Sequence, residues 1–537
     1  MPNIQVVGVT KAFGGKKLFE DVNTNFAEGR RYGLTGPNGA GKSTFMKIMS
    51  GALEPDTGTV SRPKKTSVLK QEQFGFEELR VLDVVVMGNA GLWAAMKEKD
   101  ALLAKADITD EDGNRLGELE TVIAEEDGYT AESDAGELLS GLGLKTVLHE
   151  KLMKEIPAGL RVRVLLAQAL FGKPEALLLD EPTNNLDLES IHWLEEFLKG
   201  YQGVLITISH DRHFLNEVCT HIADIDYQAI ITYPGGYDDM VVAKADVRSR
   251  VESENAEKSK KISQLQDFIA RFSAGTRATQ VQSRKKQLEK LQLSDLKRSN
   301  IERPFIKFEQ KRPSGKQTLT LEGVTKSFPG VTVAKDFRAL VTKGEKVAII
   351  GTTGLGKSTL LKMLVGEETP DAGTVTWGHE AQVGYLPQEA KSIIQKGTTV
   401  AEWLHNFDPR AGNEDVRGLL GRMLFRGEEG LKPTDALSGG EAVRLVFSKL
   451  MLTKDNVLVL DDPTNHLDLE SIVALGEALK RYEGTAFVVT HDRDLIDTFA
   501  TRIWAFTRDG VEDFSGSYED YLAKHGGGLA VRGSFKK

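Results

Sequence analysis

The 537-residue chain sets 69 Lys and Arg against 78 Asp and Glu, a formal net charge of −9, with 40% hydrophobic and 27% charged residues. That length exceeds what one core covers, so more than one domain is expected; a lone cysteine, Cys219, excludes an intramolecular disulfide or a cysteine metal cluster. No basic and then apolar leader opens the sequence, and no apolar run reaches the ~20 residues of a membrane helix, so a cytoplasmic protein is expected.

In chain order the first marker is Phe13, about 29 residues ahead of Lys42, an aromatic that either stacks on adenine or belongs to a core. The apolar run Arg31 to Leu34 then leads into Gly36-Pro37-Asn38-Gly39-Ala40-Gly41-Lys42-Ser43-Thr44, a G-x-x-x-x-G-K-S loop before an apolar-periodic helix. Glycines there let backbone N–H groups curl around phosphate oxygens at a helix N-terminus. The lysine reaches the β- and γ-phosphates of a nucleotide and the serine ligates Mg²⁺. Gln71, in Leu-Lys-Gln, suits a strand-end residue that senses Mg²⁺ or water.

Further on, Ala176-Leu-Leu-Leu-Asp180 has the continuous apolar character of a central parallel strand, ending in an acid where α/β sheets bind ligands. Asp180 there can hold Mg²⁺ directly or through water, and the next residue, Glu181, can polarise an attacking water. Pro182-Thr-Asn-Asn-Leu-Asp187 follows, and another strand closes on His210, placed for a γ-phosphate contact.

The order repeats. Phe13 aligns with Phe328 and Lys42 with Lys357, 315 residues apart, while Asp180, Asp187, His210 and Tyr237 align 281 residues on with Asp461, Asp468, His491 and Tyr518. The second loop is Gly351-Thr352-Thr353-Gly354-Leu355-Gly356-Lys357-Ser358-Thr359, and Gln388 repeats Gln71. An internal duplication explains both offsets, with about 34 extra residues between the first loop and Arg163. Within that excess, Trp93 to Lys105 and Leu116 to Ile123 read as helices parted by 107–113, and residues 97–137 hold fourteen acids against four bases. Between the halves the balance reverses: residues 241–300 hold fourteen Lys and Arg against seven Asp and Glu. Two helices broken at Gly275 are expected there, with Arg271 and Arg277 near the tip and Arg284, Lys285, Lys286 and Lys290 on the second. This basic hairpin either spaces the halves or contacts a polyanion.

The two phosphate loops, Leu437-Ser438-Gly439-Gly440-Glu441, Asp-Pro-Thr-Asn-His-Leu-Asp at 462–468 and Glu-Pro-Thr-Asn-Asn-Leu-Asp at 181–187 together resemble the ABC-F proteins. These are ATP-binding-cassette ATPases with two cassettes on one chain and no membrane domain, and the likeness runs over about residues 1–525. The runs Arg31–Leu34, Phe45–Ile48 and Leu165–Leu170 are most similar to the YbiT-like branch.

The resemblance implies an α/β fold of two P-loop cassettes in tandem: cassette one at 1–238, with a helical arm inserted at about 88–135, and cassette two at 317–525. A basic helical linker at 239–316 joins them, and a flexible tail follows at 526–537. It further implies a monomer whose cassettes close head-to-tail around two Mg²⁺-ATP. Site one then combines Lys42, Asp180, Glu181 and His210 with Ser438, Gly439, Gly440 and Glu441; site two combines Lys357, Asp461, Asp462 and His491 with Ile156-Pro-Ala-Gly-Leu160. Pro157 and Ala158 stand there for a serine and a glycine, and Asp462 for the family's catalytic glutamate. The linker is implied to reach rRNA and the P-site tRNA on the ribosome, and the acidic arm to meet a basic ribosomal protein, unless it is only a solvated hairpin. The alternatives are a transporter's ATPase subunit and an ATP-gated RNA clamp in which hydrolysis is incidental.

Overall fold

In the computed structural model each half builds the same pair of sheets; residues 1–2, 15, 38, 70–74, 106–107, 185, 227, 248–261, 263, 266–302, 329–330, 353, 508–509 and 526–537 lie outside what it describes. The first half supplies β1 (Ile4–Phe13), β2 (Lys16–Phe26), β3 (Arg31–Thr35), β4 (Thr57–Ser61), β5 (Thr66–Val68), β6 (Ala176–Asp180), β7 (Val204–Ile208), β8 (His221–Asp226) and β9 (Ala229–Pro234). The second supplies β10 (Gln317–Phe328), β11 (Val331–Thr342), β12 (Lys346–Gly351), β13 (Ala372–Trp377), β14 (Val383–Leu386), β15 (Val457–Asp461), β16 (Thr485–Val489), β17 (Arg502–Thr507) and β18 (Gly510–Ser515).

The large sheets run β5-β6-β7-β3-β8-β9 and β14-β15-β16-β12-β17-β18, parallel except for the last pair of each. Three-stranded antiparallel sheets, β2-β1-β4 and β11-β10-β13, pack beside them. The central strands β6, β7, β15 and β16 are buried almost along their length, because apolar side chains cover both faces. Asp180 and Asp461 end their strands on the side where β3 and β12 release the phosphate loops. One topology built twice is what the duplicated sequence demands.

The insertion is a helical hairpin, Ala90–Leu103 and Asp110–Glu125. Its second helix starts earlier than the expected break over 107–113 allows. The cause is local: Thr109 caps it in a reciprocal box with Asp112, and Asp110, Glu111 and Asp112 complement the positive end of the helix.

Residues 237–247 continue from cassette one as helix. Tyr237 and Met240 there join Leu215, Cys219 and Ile222 in a cluster completed by Leu469 of the other half. Residues 303–316, expected in the linker, run along cassette two, with Ile306 and Phe308 in its core and Phe305 N–H donating to Arg422 O at 2.9 Å. The expected hairpin tip with Arg271 and Arg277 and the expected second linker helix with Arg284, Lys285, Lys286 and Lys290 lie outside the described residues, as does the tail at 526–537.

Candidate nucleotide sites

Each phosphate loop ends on a glycine in the left-handed region, Gly41 at φ 99° and Gly356 at φ 94°, directly before the helices Lys42–Ser50 and Lys357–Val365. A Cβ at Gly356 would come within 2.5 Å of Val333, and one at Gly36 within 2.7 Å of Ile225 O, so the loops have no room for side chains there. Gly39, Gly351 and Gly354 also have positive φ. Ser43, Thr44, Ser358 and Thr359 fill the first helical turns. Lys42 Nζ donates to Gly36 O at 2.8 Å and Lys357 Nζ to Gly351 O at 2.5 Å. Burial lowers the pKa of both, Lys357 to about 8, against the pull of nearby acids. Asn38, Thr353 and Gln71 are outside the described residues.

Beyond the loops, burial raises Asp180 and Asp461, while the hydroxyls of Ser43 and Ser358 respectively hold them down. The next residues, Glu181 and Asp462, adopt φ of 53° and 45°, unusual for residues with a Cβ. Their N–H groups donate at 2.9 Å to Ile208 O and Val489 O, which turns the side chains out of the sheet. Burial, then the neighbouring aspartate, pushes Glu181 up to about 8 and Asp462 to about 7. His210 N–H donates to Glu181 Oε2 at 3.3 Å, with the ring Nε2 3.3 Å from Oε1. Burial first and then the facing lysine hold His210 down to about 4 and His491 to about 3. His210 Nδ1, Asp461 Oδ1 and His491 Nδ1 are buried and find no hydrogen-bond partner among the described residues. Such orphaned groups beside a lysine and a phosphate loop fit a triphosphate with its divalent cation.

A cavity of about 480 Å³ draws on both halves. Lys357, Ser358, Thr359, Gln388, Asp462 and His491 line it from the second half, and Gly159, Glu181, Thr183 and His210 from the first. A smaller cavity at Lys42 also takes Asp468, Leu469 and Glu470 from the second half. The structure therefore brings the second loop together with Gly159. Ser438, Gly439, Gly440 and Glu441 line neither of these two cavities. Ser438 and Glu441 instead form a capping box, and Lys432 reaches Glu441 Oε2 at 2.8 Å. The glycines pack on His466, whose ring carbon is 2.8 Å from a Cβ at Gly439. Phe13 and Phe328 are 53% and 45% exposed, which removes the core alternative for both, and Phe328 lines the large cavity.

Sequence reading missed two buried polar sets. Arg163, 1% exposed, reaches Asp187 Oδ2 at 3.2 Å and Ser190 Oγ at 3.1 Å, fixing the loop that faces Lys357. Arg493 of the second half lies 3.6 Å from Glu195 and donates to Leu188 O at 3.2 Å, tying the halves together. A carboxylate inside an otherwise apolar helix face was the available signal for Glu195.

Repeated phosphate loops, acid-ended strands and a shared cavity define a tandem-cassette nucleotide-binding protein. The family model described as ABC transporter matches residues 19–184 and 334–465, and a companion model of the same description matches 223–308. The chain belongs to the ABC ATP-binding proteins, in their F-type group with duplicated cassettes. It is 47% identical to the probable ATP-binding protein YbiT of Escherichia coli O157:H7, over 96% of this chain and 98% of that one. It is 34% identical to ABC transporter F family member 5 of Arabidopsis thaliana, over 97% and 77%. Among solved structures, archaeal ribosome recycling factor aABCE1, crystallised with ribosomal stalk protein aP1, superposes with a TM-score of 0.61 over 97% of this chain and 92% of its own. At 19% identity that likeness establishes the fold alone. The cassettes imply ATP binding and ATP hydrolysis. Among the described residues no helix is long and apolar enough to cross a membrane.

Proposed function

We propose that this is a cytoplasmic ATPase that grips ribosomes in an ATP-closed state and leaves after hydrolysis to ADP and phosphate, modulating translation. The observation that carries the proposal is the cavity lined from both halves: a nucleotide held there touches both, so its occupancy biases closure. Lys42 and Lys357 hold the β- and γ-phosphates, and Phe13 and Phe328 stack on the bases. Ser43 with Asp180 and Ser358 with Asp461, aided by Gln71 and Gln388, hold Mg²⁺, which supplies charge neutralisation on the phosphates. Glu181 and Asp462 orient water, His210 and His491 contact the γ-phosphate, and Ser438 to Glu441 complete site one on full closure.

The two sites are proposed to be unequal. Site two is faced by Pro157 and Gly159 without a capping hydroxyl, and Asp462 is one methylene short, a displacement of about 1 Å that costs on the order of 100-fold in rate. Site one turns over, and site two retains ATP.

The ribosome enters through the basic surplus at 241–300, suited to phosphates of rRNA and the P-site tRNA, and through the naming of aABCE1 as a ribosome recycling factor. In the arm, Lys97, Lys99, Lys105 and Arg115 are all paired within the hairpin, so its surplus carboxylates suit a basic ribosomal protein. The test is sedimentation of the Glu181→Gln, Asp462→Asn double variant with purified bacterial ribosomes. ATP-dependent co-migration with 70S particles supports the proposal. A variant that binds ATP yet stays at the top of the gradient overturns it and leaves the transporter-subunit reading.

A further inference from the structure

The helix over 237–247, which leads into the basic segment, sets Lys244 against the first large sheet. Its ammonium lies 2.5 Å from Asp224 Oδ2 and 3.2 Å from Asp226 Oδ2, on side chains 1% and 0% exposed. Asp224 sits on β8 in register with Thr35 of β3, and Thr35 Oγ1 donates to it at 3.2 Å. Thr35 is the residue before Gly36, and Asp224 lines the same small cavity as Gly36 and Lys42. Two buried carboxylates beside a phosphate-binding loop oppose the ligand unless a cation answers them. The fold does not need them: the corresponding positions around the second loop are Ile350, Ala505, Thr507 and His525, and β17 is as well buried.

We propose that Lys244 is a positioning residue of the first nucleotide site: docked on Asp224 and Asp226 it offsets one of their two charges beside the phosphate loop, and its withdrawal exposes bound phosphates to one more negative charge. Movement of the helix entering the basic segment thus gates nucleotide affinity at Lys42 and leaves Lys357 untouched. Burial lowers the pKa of Lys244, and Asp224 and Asp226 together raise it above the ordinary lysine value, so the docked side chain carries its charge.

The gate rests on the nucleotide-binding reading, and one experiment separates the two. A fluorescent ATP analogue with Mg²⁺ is titrated into full-length protein carrying Lys357→Ala, which reports the first site, or Lys42→Ala, which reports the second. Lys244→Met is expected to weaken the first site about tenfold, the effect of one unanswered charge nearby, with the second unchanged. Lys244→Arg restores affinity. The triple change Asp224→Ala, Asp226→Thr, Lys244→His copies the second cassette and removes both carboxylates with their partner, so affinity at the first site is expected not to fall by more than about twofold. Should Lys244→Met fail to fold by circular dichroism, Lys244→Gln, which keeps a polar head against the two carboxylates and removes only the positive charge, carries the same expectation. Loss in the triple variant as large as in Lys244→Met, equal loss at both sites, or no loss in either variant overturns the gate. Absence of binding in both backgrounds without further change overturns the nucleotide reading, and the gate with it.

Discussion

At the first phosphate loop a glutamate follows the acid that ends its strand, and at the second an aspartate does; both hold the same left-handed backbone and the same hydrogen bond to a neighbouring strand. The backbone frame has been kept and the chemistry placed on it has changed. The same holds for the helices Gly439–Thr453 and Ala158–Leu170, which occupy matching places in the two halves. Ser438 and Glu441 cap one of them reciprocally, while Pro157 opens the other without a side-chain cap. Duplication repeats what folding needs, and the sites are free to differ in what lies on the surface of the frame.

The largest expected effect breaks this comparison most cleanly. Glu181→Gln should cut steady-state ATP turnover by about 100-fold or more, the loss typical of a removed general base. Asp462→Asn should cut it only a few-fold, and equal losses in a phosphate-release assay would remove the asymmetry.

Next in size is the buried arginine. Arg163→Ala should cost about 3–5 kcal/mol in urea unfolding, because it strands Asp187 without its cation. Arg444→Ala should cost less, since Arg444 donates to Met423 O at 3.0 Å and lies over the Phe425 ring at 5.3 Å. A larger loss at Arg444 would reverse the reading of which facing loop is rigidly held.

A smaller effect is in pH. Glu181 is raised to about 8 and Asp462 to about 7, and burial beside Asp211 also raises Asp492, so the folded state binds protons that the unfolded chain has released. Their stabilisation is complete at low pH and is lost as pH rises toward about 8. His210 and His491, lowered to about 4 and about 3, act oppositely, but only below the ordinary histidine value of 6.5. Between pH 6.5 and 8 the ligand-free Tm should therefore fall, and the Glu181→Gln, Asp462→Asn protein should show a flatter profile. A Tm that rises across that window would contradict the assigned burial.

The smallest effect is expected at the exposed aromatics. Phe13→Ala or Phe328→Ala should raise KM for ATP several-fold, a stacking contribution of about 0.5–1.5 kcal/mol, with Tm unchanged. A drop in Tm would mean that the rings pack in the apo protein.

Much of this was legible in the sequence for a physical reason. Phosphate loops need glycines at fixed spacing, and central parallel strands need apolar runs that end in the liganding acid, so both leave contiguous marks. The start of the arm's second helix at Asp110 was misplaced because an acidic cluster reads as a loop unless the Thr109–Asp112 box is recognised. Glu195 showed only as a carboxylate on an apolar helix face, and Lys244 and Arg493 were not legible at all. Their partners are remote in sequence, and no local pattern announces a contact that only the packed cassettes create.

The unequal pair of sites is tested most directly by what the protein holds after one round. The wild-type chain is loaded with labelled ATP and Mg²⁺, freed of excess nucleotide by rapid filtration, and its bound nucleotides are quantified over the first turnovers. One ADP beside one ATP per chain is the expected result. Two ADP appearing together, or two ATP retained alike, would contradict it.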